Sequence, residues 1–214
     1  MKTLQKFGFS ALSPELFGSF FSLDISMTER IINTLLNTEF RIDRLEEEIP
    51  ENGRFQFLNS CVIADAHTEA GRLALAITLI NEDTEDATSD ILNWILSRVM
   101  LKRRNVYPLL LVFDTTVSGG EKGGVEMRVI DNHPFPFALA VVWAGTSSGR
   151  KKCDTMLEDL MRVIPEEIED DKIRRLYYRA FRKSGLEEKE IVSYSIWLES
   201  VKRDIVMLGD IPGI

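Results

Sequence analysis

The sequence predicts an α/β domain with a helical C-terminal part, on three observations. Gly71 to Asn81 (GRLALAITLIN) alternates Leu73, Leu75, Ile77 and Leu79 with Ala74, Ala76, Thr78 and Ile80, so one strand is covered on both faces, as in a sheet lying between helices. Amphipathic segments flank it, and a second near-continuous apolar run, Tyr107 to Thr116 (YPLLLVFDTT), follows the downstream one. After Gly145 the apolar residues fall into helical spacing throughout.

The elements follow in order. Ser13-Pro14-Glu15 reads as a helix start, with the serine as N-cap and the proline where its missing N–H costs nothing; the helix runs to about Phe21. Ser26-Met27-Thr28-Glu29 matches a capping box, and Ile31, Ile32, Leu35 and Leu36 recur behind it to about Thr38. Arg41 to Ile49 fits either a charged edge strand or a loop. Phe55 to His67 is rich in strand formers, and Thr68-Glu69-Ala70-Gly71 joins it to GRLALAITLIN as a hairpin turn. Ser89 caps a helix from Asp90 to about Arg104, with Leu92, Ile95, Leu96 and Val99 on one side. The Gly119–Gly124 loop reads most simply as a hairpin connection from Tyr107–Thr116 to Val125–Ile130, and Phe137 to Trp143 (FALAVVW) is a further buried strand. Met156, Leu157, Leu160, Met161 and Ile164 form a helical stripe closed by Pro165. Ile173, Leu176, Tyr177, Ala180 and Phe181 form another, closed by Gly185, and Ile191, Tyr194, Leu198, Val201 and Ile205 a last one. Residues 1–145 are expected to form the core with its N-terminal helices, and 146–214 a helical subdomain packed on it.

Composition narrows the function classes. With 44% hydrophobic and 28% charged residues among 214, the chain can bury a sizeable core. A formal net charge of −8 opposes non-specific attraction to nucleic acid or anionic membrane, so a nucleic-acid role requires a local basic patch. Cys61 and Cys153 are too few for a disulfide scaffold or zinc ribbon, which fits a reducing cytoplasm. The N-terminus lacks a continuous apolar stretch with a cleavage site, and no run reaches the ~18 residues of a membrane span. His67 and His133 stand apart from other ligand types, so no zinc site is expected.

The order of helix, three strands, helix and strand over residues 27 to 116 resembles the core of the PD-(D/E)xK nuclease superfamily, in its Rpn or transposase-like branch. The resemblance implies a restriction-endonuclease-like αβββαβ core, a mixed sheet flanked by helices. For an active member it implies an Asp on the second core strand and an acidic-x-Lys on the third, binding Mg²⁺ or Mn²⁺ that activates water. Asp65 stands near the first acid, and Glu39 can stand for the helix carboxylate some members use. The third strand departs from the pattern: between Leu73 and Asn81 it has no charged side chain. Glu82 and Asp83 lie just beyond it, and the next lysine is Lys102 on the following helix. The expectation is therefore a non-catalytic interaction or regulatory protein on a degenerate nuclease-like fold, without a cofactor and with protein as partner. The alternative is a divergent metal-dependent nuclease using Asp65, Glu82, Asp83 and Lys102.

Gly145-Thr146-Ser147-Ser148-Gly149 matches G-x-S-x-G after a strand and before a helix. Hydrolases with that elbow place the histidine after the serine, yet His67 and His133 both precede Ser147, so the triad is not available in that order. As an anion site the segment reads better. Gly145, Ser147, Ser148 and Gly149 would offer N–H groups and hydroxyls at a helix start, with Arg150, Lys151 and Lys152 supplying cations for a phosphate or nucleotide. The plain alternative is an ordinary connection with a serine N-cap. Arg174, Arg175, Arg179, Arg182 and Lys183 make a basic side that could face nucleic acid or pair with the preceding acids Glu166, Glu167, Glu169, Asp170 and Asp171. Trp94, Trp143 and Trp197 fall on core elements and are read as packing.

Overall fold

The computed structural model describes residues 9–48, 61–80, 85–102, 106–115, 124–131, 136–144 and 155–185. Six strands form one mixed sheet: β1 (Arg41–Glu48), β2 (Cys61–Thr68), β3 (Gly71–Ile80), β4 (Tyr107–Asp114), β5 (Gly124–Ile130) and β6 (Phe137–Trp143), in the spatial order β1-β2-β3-β4-β6-β5. The first three strands form an antiparallel meander, β4 and β6 run parallel to β3, and β5 returns antiparallel along β6. The helix α3 (Glu85–Lys102) makes the crossover between the parallel strands β3 and β4, which a tight turn cannot join. The other helices are α1 (Pro14–Ser22), α2 (Ile25–Leu36), α4 (Thr155–Met161) and α5 (Asp171–Ser184).

Strand alternation assigns the two faces. Val62, Ala64, Leu75, Ile77, Leu79, Leu111, Phe113, Ala140 and Val142 share an apolar cluster with α1, α2, α4 and α5. Cys61, Ile63, Ala74, Ala76, Leu110 and Val112 pack with Ile95, Leu96 and Val99 of α3. The predicted two-sided burial of β3 is what the fold contains: Ala74 to Ile80 are all buried. Phe17 and Phe21 of α1 meet Phe113 of β4 at ring-centroid distances of 5.9 and 5.3 Å, fixing the helix layer over the sheet centre. The Tyr177 hydroxyl of α5 donates to the Phe9 carbonyl at 2.6 Å, tying the described N-terminal end to the last described helix.

Several boundaries depart from the sequence reading. The cap of α2 is Asp24, whose carboxylate accepts the Met27 N–H at 3.1 Å, two residues before the predicted capping box. Glu29 is thereby released from capping, and it accepts the Ile42 N–H at 2.9 Å and pairs with Arg41, anchoring β1. Ser13 starts α1, but its hydroxyl turns back to the Ser10 carbonyl instead of capping. The ambiguous segment from Arg41 is an edge strand, and α3 begins ahead of Ser89. The helix α4 ends at Met161, with Ile164 opening a 3-10 turn at Pro165–Glu167. The largest correction concerns β5, which makes no hairpin with β4 because β6 lies between them. Interior position goes to the strand that can be buried, FALAVVW, and the edge to GVEMRVI, which carries charge on one face.

At the start of α5, Asp170 caps the N–H groups of Lys172 and Ile173 and receives Arg30 at 2.6 Å. Burial pushes this carboxyl up, but the Arg30 contact and the two N–H bonds outweigh it and hold it below the ordinary carboxylate value. Gly185 closes α5 in the left-handed conformation (φ +72°) that glycine adopts without steric cost. The expected last helix, at 191–205, and Trp197 lie outside the described residues.

Candidate functional site

The charged residues that the sequence could not place collect at one end of the α3 face. Arg44, Glu46 and Glu48 alternate along β1, opposite Asp65, Ile63 and Cys61 of β2. Because directly opposed residues in an antiparallel pair share a face, these side chains point towards α3. Lys102, at the last turn of α3, pairs with Glu48 and lies 4.0 Å from Glu46; Glu46 is also paired with Arg44. One rung of the sheet then runs Glu48, Cys61, Thr78, Val112, with the lysine over its outer end.

Burial, with the Glu48 charge beside it, pushes the Cys61 thiol up to about 12 against the opposing pull of Lys102 and Arg98. The thiol therefore stays protonated and is a poor nucleophile. Arg98 is stacked 5.5 Å above the Trp94 ring, so that tryptophan supports a cation as well as packing against the core. Thr78 is fully buried, and its hydroxyl has no hydrogen-bond partner among the described residues. A buried unpaired hydroxyl lowers stability, so Thr78→Val should raise it by about 1 to 2 kcal/mol in chemical denaturation. An unchanged or lower stability would mean that the hydroxyl is satisfied.

Asp65 lies on the rung with Arg44 and Ala74, four residues along β2 from Cys61, or about 13 Å at strand spacing. Lys102 is thus brought to carboxylates, but to Glu48 and Glu46 of β1, which sequence reasoning passed over because β1 itself was ambiguous. Glu82 and Asp83 fall outside the described residues, as do Gly145, Ser147, Ser148, Gly149, Arg150, Lys151 and Lys152. Glu39, expected as a helix carboxylate, lies beyond the Asn37 cap of α2 in the connection to β1, exposed on a cleft of about 600 Å³ that also borders Glu29, Asn33, His67 and Glu69. The polar groups at its back are engaged structurally: Asn33 holds both the N–H and the carbonyl of Phe40, at 2.7 and 2.8 Å, and Glu29 holds β1.

Three of the five cations on the basic side of α5 are paired with acids within the fold. Arg174 pairs with Asp171, Arg179 with Asp24 at 3.3 Å, and Lys183 lies 3.7 Å from Glu47 and donates to Ser22 at 2.9 Å. The contacts of Arg179 and Lys183 hold α5 against α1, α2 and β1, and Arg174 pairs with the preceding acid Asp171 within the first turn of the helix.

No helix of the described residues is long and apolar enough to cross a membrane. No family model matches the chain, and no curated protein or solved structure matches it either.

Proposed function

We propose that this chain is an interaction or regulatory module built on a nuclease-like αβββαβ frame, acting without hydrolysis of its own. The observation that carries the reading is β3. In the frame it resembles, the third strand supplies the carboxylate and lysine, whereas here Ala74, Ala76 and Thr78 face α3, and Leu75, Ile77 and Leu79 face the other helices, all of them buried. A backbone shift cannot furnish a carboxylate and a lysine that the strand does not encode. The antiparallel β1-β2-β3 meander followed by parallel β4 is compatible with that frame.

A second reading, a divergent nuclease dependent on Mg²⁺ or Mn²⁺, is favoured by one feature: Lys102 does reach the sheet beside two carboxylates. Its acids would come from Asp65, Glu82 and Asp83. The anion-binding reading of Gly145 to Lys152 rests on sequence alone and is compatible with either. Incubation of the purified protein with DNA and RNA in Mg²⁺ or Mn²⁺ is expected to leave both intact. Metal-dependent cleavage that disappears in Asp65→Ala and Lys102→Ala would overturn the proposal and establish the second reading.

A further inference from the structure

The exposed edge of the sheet has the sequence symmetry of a self-complementary interface. The strand β5 pairs with β6 along one side in an unbroken antiparallel register, and its other side meets no strand among the described residues. Val125, Met127 and Val129 are 41%, 50% and 59% exposed. They stand opposite Val142, Ala140 and Ala138 on the same face as the large apolar cluster, so that apolar surface continues outward onto a strand whose outer edge is open among the described residues. Glu126 and Arg128 occupy the other face and make no ion pair among the described residues.

Edge strands are ordinarily blunted by proline, a bulge or unmatched charge, because open N–H and C=O groups invite another strand. The segment GVEMRVI has no proline and no bulge. It does have two charges, one of each sign, symmetrically placed about Met127.

We propose that β5 is the contact strand of a two-fold homodimer, in which two copies pair antiparallel about Met127 and join their sheets into one. In that register Glu126 faces Arg128 of the second copy, twice by symmetry, as an isologous contact requires. Val125 faces Val129 of the second copy, and Met127 faces its own equivalent, giving an unbroken apolar row on one side and two opposite-charge pairs on the other. The neighbouring registers are rejected by the same residues. A shift of the pairing centre by one residue sets Glu126 against Glu126 or Arg128 against Arg128. A half-step sets the apolar row against the charged one. The occupant is thus a second copy of this chain, identified by charge complementarity with itself. The inference rests on β5 alone and holds whether or not the frame cuts nucleic acid.

Sedimentation velocity of the full chain over a concentration series tests it. The wild type is expected to show a concentration-dependent dimer that weakens with salt. Glu126→Arg and Arg128→Glu should each place like charges face to face and weaken association by about tenfold or more. The double exchange, Glu126→Arg with Arg128→Glu, restores opposite charges and should restore the dimer, which a merely disruptive change would not do. All these positions are exposed, so the far-UV circular dichroism of each variant should match the wild type, while a melting temperature that falls in the single reversals and recovers in the double exchange would follow the dimer itself. A monomer at every concentration would overturn the proposal and indicate that another part of the chain covers β5. A dimer indifferent to the single reversals would overturn it by locating the contact elsewhere.

Discussion

Ile77→Asp should yield no soluble folded protein. Ile77 is fully buried at the middle of β3, with Val62 of β2 and Leu111 of β4 beside it on the same face, both likewise fully buried. A carboxylate placed there meets no partner, and burying an unpaired ionisable group costs several kcal/mol even when it is neutralised by protonation. Total stabilities are only about 5 to 15 kcal/mol, so one such site consumes most of the margin. Ile77→Val removes a single methyl group and should fold, losing about 1 kcal/mol. Val129→Asp, on the exposed edge strand, should remain soluble. The comparison separates central from edge burial: recovery of folded Ile77→Asp at wild-type yield would mean that β3 is not the central strand.

The central strand was legible because its signal is local. Eight consecutive positions without a charge, Leu73 to Ile80, leave little but a strand between two layers. The order of strands was not, since β5 and β6 are equally short, and loop length does not say which of them lies next to β4. What separates them is burial tolerance: FALAVVW has no charge, and GVEMRVI places Glu126 and Arg128 on one side. The α2 cap illustrates a different limit. Asp24 and Ser26 are both good caps two residues apart, and the choice is made by tertiary structure, because Glu29 is needed by β1. The cluster around Lys102 was hidden for a similar reason. Glu48 lies 54 residues away on a strand that the sequence alone could equally make a loop, and an ion pair across that separation leaves no periodic trace. The ion pairs of α5 with Asp24 and Glu47 were likewise hidden, because those acids lie on other elements far away in sequence.

Asp159 is the clearest case of a residue concealed by its surroundings, and its removal should be the costliest polar substitution in the described fold. It lies on α4 outside the apolar stripe, where an aspartate reads as solvent-facing, yet it is 3% exposed. Its two carboxylate oxygens accept the N–H groups of Glu169 and Asp170 at 2.8 and 2.9 Å. Asp170 in turn caps α5 and receives Arg30 of α2, so a single side chain of α4 fixes the entry of α5 and, through it, a contact with α2. Hydrogen bonds to an ionised acceptor are worth about 1.5 to 3 kcal/mol each, so Asp159→Ala should cost about 3 to 5 kcal/mol in chemical denaturation. At this chain length each kcal/mol shifts the melting temperature by about 2 to 4 °C, which makes the loss readable in a thermal scan. Asp159→Asn discriminates the cause. An amide has one acceptor oxygen for two donors and turns its own N–H groups towards the other, so the conservative variant should lose about half as much or more despite its equal size. Wild-type stability in Asp159→Asn would show that shape alone holds this junction, and that the paired N–H groups are satisfied without the charge.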